Sequence, residues 1–405
     1  MISNDHNVYI LGAGFSFDAG IPLVTAFMNR MRDAHPWLVS QGRDDEAKAV
    51  ERVLSFRLAS ANAAYRVKID VENIEELFSL ASSLAGAAGD LTESDVRLAI
   101  AATIDFAAAG CTIPGCELKF EAGVTPVHGW PASTERQSSA GGPTWLVLPV
   151  YDFVLAVMTG TFSEPNEARR NTIITFNYDM VVENALSTLE VPFSYGFKGK
   201  TVNYGDDAPV AHGPGSETAL RLLKLHGSLN WAVTGKRGGK FTVFKDYASL
   251  RAAGCVPTLV PPTWRKTFAK QLDDIWQECA SALSSATRVI VVGFSMPPTD
   301  THFKYLLGAG LQKNASLREI VFVDPNKDGV EARAREVLET GHLRGVLRVE
   351  SQTTATYFLT KEARSQMRRS LREGSYYRPL ELPTWAREGL AKAGPAPTQA
   401  GVHGS

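Results

Sequence analysis

Short apolar runs separated by amphipathic stretches set the rhythm of this chain. Asn7–Leu11 is almost wholly apolar and ends at Gly12, the pattern of a buried strand entering a glycine turn. Thr172–Phe176, Leu220–Leu225, Arg288–Val292, Glu319–Val323 and Val346–Val349 repeat the theme, β-branched or aliphatic and only a few residues long. Between them Ile21–Arg32, Asp179–Leu189, Thr263–Ser284, Thr301–Leu311 and Lys327–Glu339 read as helices, the first of them with Pro22 in its opening turn. Strands alternating with helices predict an α/β fold, a doubly wound and mostly parallel sheet covered on both faces.

That alternation is interrupted. From Pro36 to Phe162 Ala-rich, mixed-charge segments take over. Val96, Ala99, Ile100, Thr103, Ile104 and Ala107 recur at helical spacing. Asp44–Leu58 and Glu72–Leu84 read similarly, and Trp145–Met158 is apolar enough for a buried helix. Cys111–Pro143 is rich in Gly, Pro and Ser and reads as a loop. The expected organisation is a core of residues 1–35 and 165–360, a mainly helical insertion over 36–164, and a C-terminal helix followed by a disordered tail over 361–405. The last stretch, Ala391–Ser405, is made largely of small residues with Gly and Pro.

Composition narrows the class without naming it. With 405 residues, 44% hydrophobic and 21% charged, the chain is of ordinary globular type. Its 42 basic and 43 acidic residues give a net charge of −1, so no global attraction to nucleic acid or to an anionic membrane is expected. Met1–Val8 is polar, the first apolar run is too short for a signal core, and no stretch is long enough to span a bilayer. Cys111, Cys116, Cys255 and Cys279 form no dense framework, which suits a reducing cytoplasm.

Chemistry gathers at the ends of the predicted strands, where open α/β sheets bind their ligands. Gly12-Ala13-Gly14-Phe15-Ser16 follows the first strand; glycines there allow backbone N–H groups close to a pyrophosphate, though a tight turn would look the same. Phe17 stands where the Gly-x-Gly-x-x-Gly pattern of ordinary dehydrogenases requires glycine. Thr175-Phe176-Asn177-Tyr178-Asp179 ends the next strand and offers either ligand contacts or a helix cap. His226 in Leu225-His226-Gly227-Ser228 is placed for proton transfer or for a structural hydrogen bond. Gly293-Phe294-Ser295 and Val323-Asp324-Pro325-Asn326 close the series; Asp324 suits a ribose hydroxyl, whereas Asp300 and Asn326 suit a cap and a turn as well.

In this order the five segments resemble the sirtuin-like family, and more closely the prokaryotic branch found in antiphage defence. The matching blocks anchor Asn7–Val24 and Thr172–Glu339; the insertion carries none. The resemblance implies a Rossmann-like core holding NAD in a crevice. Gly12, Ala13, Gly14 and Ser16 would contact phosphates and ribose. Asn177, Asp179 and His226 would surround the nicotinamide ribose, Asn177 and His226 as the catalytic pair. Gly293, Ser295, Asp324 and Asn326 would hold the adenosine half.

Departures from the protein-deacylating members point to water as the acceptor. Those members carry two Cys-x-x-Cys pairs around a structural zinc, whereas the four cysteines here lack that spacing and no metal is expected. After Gly20-Ile21-Pro22 the chain has Leu23-Val24-Thr25 in place of Asp-Phe-Arg, and the acyl-lysine channel motif is missing. The expected activity is therefore NAD hydrolysis to nicotinamide and ADP-ribose. A non-catalytic NAD- or ADP-ribose-binding subunit, and a protein deacylase or ADP-ribosyltransferase, are the alternatives. The resemblance further implies a homo-oligomer and an operon-encoded partner, a translocase-type ATPase or an Argonaute-like protein, contacted through the insertion.

Overall fold

Seven strands form one all-parallel sheet at the centre of the computed structural model. It describes residues 5–84, 91–120, 135–138, 144–160, 170–198, 202–205, 207–210, 219–235, 239–262, 270–296, 301–338, 345–363 and 376–378. In chain order the strands are β1 (His6–Leu11), β2 (Gly115–Phe120), β3 (Glu135–Ser138), β4 (Thr144–Pro149), β5 (Arg170–Thr175), β6 (Phe193–Ser194) and β7 (Val202–Tyr204). After them come β8 (Leu220–Lys224), β9 (Trp231–Thr234), β10 (Lys240–Val243), β11 (Arg288–Val292), β12 (Glu319–Val323), β13 (Leu347–Glu350) and β14 (Tyr376–Arg378). The helices are α1 (Val24–Ser40), α2 (Asp44–Ala59), α3 (Ala61–Arg66), α4 (Ile74–Ser83), α5 (Glu93–Ala109) and α6 (Val150–Thr159). They continue with α7 (Val181–Thr188), α8 (Tyr247–Ala252), α9 (Lys270–Ser284), α10 (Thr301–Leu311), α11 (Lys327–Leu338) and α12 (Thr354–Tyr357).

The central sheet runs β13-β12-β11-β1-β5-β8-β6. The chain steps outward from β1 through β5 to β8 and β6, then returns to the other side of β1 as β11, β12 and β13. The order therefore reverses between β1 and β11, the kind of switch point beside which parallel sheets open a crevice. β1 is fully buried and pairs with β5 in the register Leu11↔Thr175 and with β11 in the register Leu11↔Val292. Both neighbours thus end level with the Gly12 turn. The fold is the α/β Rossmann-like class expected from the alternation of elements. Among the described residues no helix is long and apolar enough to cross a membrane.

Three parts depart from the sequence reading. The first helix starts at Val24, so Pro22 precedes it, and a 3-10 turn over Ala13–Ala19 fills the gap. α1 also continues through Pro36 to Ser40; the proline lies in the last turns, where only one intrahelical donor is lost. Second, apart from α6, the described helices of the segment 36–164 end at Ala109. Beyond it β2, β3 and β4 pair antiparallel, so Cys111–Pro143 is not all loop and the predicted helix from Trp145 begins only at Val150. β14 adds to the edge of β2, which puts a strand where a C-terminal helix and tail were expected; Ala391–Ser405 lies outside the described residues. Third, β7, β9 and β10 make a small separate sheet with no counterpart in the sequence reading.

Packing explains which elements hold the core. Every residue of α6 from Val150 to Met158 is buried, and the Tyr151 hydroxyl donates to the Phe15 carbonyl at 2.9 Å, pinning the 3-10 turn. α5 starts in a capping box, with the Thr92 side chain accepting from the Asp95 amide and the Asp95 carboxylate from the Thr92 amide. Arg43, 5% exposed, donates to Glu46 and to Asp105, and Tyr247 donates to the same Glu46. This buried cluster fastens α2 to α5 and to α8. Its two carboxylates hold the Arg43 guanidinium charged more firmly than burial opposes it.

Candidate functional site

One cavity of about 760 Å³ opens at the carboxyl ends of the parallel strands, within the usual range for small-molecule sites. Six strands contribute to its wall through the residues that follow them: Ala13 and Gly14 after β1, Phe176–Asp179 after β5, His226 after β8, Gly293–Ser295 after β11, Asp324–Asn326 after β12, and Thr353 and Thr354 after β13. Asn177, Asp179 and His226, from two neighbouring strands, thus share one space with both glycine turns.

The two glycine turns interlock. The Gly12 amide donates to Val292 O at 3.0 Å and the Gly14 amide to Gly293 O at 2.8 Å. A Cβ on Gly12 would meet Gly293 O at 2.6 Å, and Gly293 has φ +61 with the Phe15 amide nitrogen 2.3 Å from any Cβ placed there. These glycines are needed for backbone to pass against backbone. Two of the three amides of the Gly-Ala-Gly run are consequently committed within the protein. Ala13, at the start of the 3-10 turn and on the cavity wall, has no acceptor for its N–H inside that turn.

Asn177 is held by the same turn. Its Nδ2 donates to Gly12 O and to Ser16 Oγ, both at 2.9 Å. A carbonyl oxygen only accepts, so the amide orientation follows from its partner and Oδ1 is the atom left to serve a ligand. Gly12 and Ser16 lie behind Asn177, and Ser16 is only 1% exposed. Asp179 lines the cavity, and one of its carboxylate oxygens accepts the amide of Val181, the first residue of α7, at 3.1 Å; the N-cap itself is Met180.

His226 is 7% exposed. Its ring meets Phe176 edge-on at 5.1 Å, and Phe176 stacks on Phe294 at 4.8 Å, so the imidazole leans on an aromatic wall spanning β5 and β11. Its carbonyl accepts the Val260 amide at 2.9 Å, and the Leu229 amide donates to Tyr178 O at 3.0 Å. The histidine loop is therefore sewn to the segment before Pro262 and to the Asn177–Asp179 turn.

At the far side, the Asp324 carboxylate accepts the Asn326 amide at 2.8 Å, and Arg333 donates to Ser295 O. Burial pushes the Asp324 carboxyl above its ordinary value, against that hydrogen bond and the nearby Arg333. The described wall carries four carboxylates, from Asp18, Glu75, Asp179 and Asp324, and no lysine or arginine. Its field favours a cationic group over a free anion.

The sequence reading assigned no place in the site to Asp18, Leu23, Val24, Ile74, Glu75, Ile104, Thr353 and Thr354, all on the wall. Thr353 and Thr354 follow the last parallel strand, so applying the strand-end rule once more would have found them. Ile74, Glu75 and Ile104 come from α4 and α5 of the insertion, whose approach no local signal announces. Trp231, 0% exposed, sits in an aromatic cluster with Tyr195, Phe197 and Phe241 away from the cavity wall. Asp300 lies outside the described residues.

The cysteines occupy four different elements or connections: Cys111 after α5, Cys116 in β2, Cys255 after α8 and Cys279 in α9; all are free thiols. Among the described residues no group of three or more His, Cys, Asp or Glu side chains is arranged to hold a metal ion.

No protein of curated function matches the chain. Among solved structures, it is similar to one described as showing the mechanism and regulation of Sir2 enzymes. The identity is 11%, covering 91% of this chain and 94% of that one, with a TM-score of 0.39. It is likewise similar to a Sir2–p53 peptide–NAD+ complex, at 12% identity, 90% and 93% coverage and a TM-score of 0.33. The family model of the SIR2-like domain matches residues 171–345, from β5 past α11. Over residues 171–345, which hold the motifs after β5, β8, β11 and β12, the chain is thus similar to the SIR2-like domain.

Proposed function

We propose that the cavity binds NAD and that the protein cleaves its nicotinamide–ribose bond, giving nicotinamide and ADP-ribose. The observation that carries the reading is the convergence of Asn177, Asp179 and His226 on one cavity bounded by the Gly12–Gly14 and Gly293 turns. A solved Sir2 relative is described with NAD+ bound. Ala13 and Gly14 would face the phosphates. Gly12 and Ser16 act in this reading by holding Asn177. Gly293, Ser295, Asp324 and Asn326 would hold the adenosine half.

Cleavage moves the C1′–N bonding pair onto the pyridinium ring, so nicotinamide leaves neutral and the ribose becomes oxocarbenium-like. The Asn177 Oδ1 dipole and the Asp179 carboxylate oppose that developing positive charge. Water attacks C1′ and gives its proton to the imidazole of His226. Carboxylates on the wall favour the cationic pyridinium before cleavage and hold neutral nicotinamide less tightly after it. Helices α4 and α5 wall the space with Ile74, Glu75 and Ile104, which suits a small-molecule substrate with water as acceptor.

The wider role follows from the resemblance: a cytoplasmic NAD-depleting effector of antiphage defence, acting as a homo-oligomer and gated by an operon-encoded partner. The test is chromatography of products after incubation with NAD, alone and with a co-purifying partner. His226→Ala and Asn177→Ala are expected to lose turnover while still binding NAD. Full turnover in both variants would end the proposal.

A further inference from the structure

Lys224 is the last residue of β8, two positions before His226, and is 1% exposed. Its Nζ donates to Glu183 Oε1 at 2.7 Å and to the main-chain carbonyl of Asp179, and lies 3.5 Å from the carbonyl of Tyr178. Glu183, on the first turns of α7, is 1% exposed as well, and its Oε1 also accepts the Tyr195 hydroxyl at 3.0 Å. Asn230 Nδ2 reaches that hydroxyl at 3.4 Å. A buried lysine costs several kcal/mol in desolvation, and an apolar side chain of similar length would fill the slot on β8 more cheaply. What the ammonium provides is a donor to the backbone of the neighbouring turn.

We propose that Lys224 is a positioning residue, an ammonium anchor that locks the Asn177–Asp179 turn after β5 to the strand that delivers His226. The anchor fixes the spacing between groups borne by two strands without touching the cavity. Glu183 is its counter-charge. The inference rests on the proposed reaction for its kinetic arm only.

The experiment compares wild type, Glu183→Gln, Lys224→Met and the double variant K224M/E183Q. Stability is read by urea denaturation, order of residues 177–183 by amide hydrogen exchange, and turnover by nicotinamide release. K224M leaves a buried carboxylate unpaired and loses stability; the double variant holds no buried charge and recovers most of it. Exchange at 177–183 is nonetheless expected to quicken at least ten-fold in the double variant. Its kcat should fall at least ten-fold while KM stays within three-fold. Glu183→Gln leaves the buried ammonium without its counter-charge and loses stability as K224M does, but it keeps an acceptor for Lys224 and leaves Nζ on Asp179, so kcat, and exchange at 177–183 relative to the rest of the core, should stay within three-fold of wild type. Wild-type exchange and kcat in the double variant would reduce the pair to a structural one and overturn the proposal. So would a kcat loss in E183Q matching that in K224M, a comparison that stands even where the double variant does not fold. Absence of NAD cleavage in wild type would strike the reaction proposed above and leave the exchange comparison decisive for the anchor.

Discussion

Asn177 Nδ2 donates to the carbonyl oxygen of Gly12 at 2.9 Å, joining the turn after β5 to the turn after β1. The contact settles which end of the amide is free, because a main-chain carbonyl accepts and never donates. It predicts an asymmetry between two variants that look alike in size. Asn177→Asp points a carboxylate oxygen at Gly12 O, whereas Asn177→Ala merely leaves the carbonyl without that donor. Asn177→Ala is expected to cost about 1–2 kcal/mol of stability, and Asn177→Asp more, with turnover lost in both. Ser16→Ala removes one of the two contacts that hold the amide, and should lower kcat about ten-fold with a stability loss of about 1 kcal/mol. Equal stability of the Asp and Ala variants in denaturant would mean that the amide is not held as described.

The loop that carries His226 depends on a glycine next to it. Gly227 has φ +89, and a Cβ there would lie 2.1 Å from Thr258 O. Gly254 has a similar φ of +67 with nothing within 4 Å. Both positions carry the left-handed backbone penalty for alanine, about 1–2 kcal/mol, but only Gly227 adds a clash with main chain. Gly254→Ala should therefore fold and unfold at moderately lower denaturant, while Gly227→Ala should be recovered poorly or lose several kcal/mol, about 4 or more. Comparable midpoints for the two would show that the segment around Thr258 yields readily.

How much of this was legible in the sequence depends on the range of the force involved. β11, α10 and β12 fall on the predicted residues, because each is bounded by local signals and buried on a parallel sheet. β2 and β3 were hidden in a Gly-, Pro- and Ser-rich stretch: β3 pairs with the nearby β4, but β2 is held between β4 and β14, the latter more than 250 residues along the chain. The order of Pro22 and α1 was misjudged because a 3-10 turn, stapled by Tyr151 from α6, takes up the chain first. At the site, Asn177, Asp179 and His226 each follow a strand, and one general rule about parallel sheets reaches all three. Glu75 and Ile104 follow no strand. They arrive through packing of α4 and α5, which no single segment encodes.

Leu23 offers a way to test the cavity as the binding site without disturbing its polar groups. It lines the wall, precedes the first residue of α1 and is 36% exposed, so a larger side chain has room to settle outward or inward without repacking the core. Leu23→Trp should change stability by no more than about 0.5 kcal/mol. It should raise KM for NAD several-fold with kcat little altered, and the new indole should report binding through its fluorescence. An unchanged KM together with an unresponsive indole would place the ligand elsewhere.

The acid stability of the fold should carry the signature of His6. This residue begins β1, is 3% exposed, and bridges Ser285 Oγ and Thr172 Oγ1 through its two ring nitrogens, each at 3.0 Å. Burial, helped by the nearby Arg170 cation, lowers its pKa from 6.5 to about 4. Between those values the unfolded chain binds the proton and the native one does not. The stabilisation is thus complete above about pH 6.5 and is lost as pH falls towards 4, a total of about 3 kcal/mol for this one group. In His6→Gln that component is absent: the variant starts less stable at pH 7.5, and its denaturation midpoint falls less steeply between pH 6.5 and 4.5. Carboxylates elsewhere titrate alike in both proteins, so the difference between the two curves isolates the imidazole. Parallel curves over that interval would mean that the native protein accepts the proton on His6 as readily as the unfolded chain does.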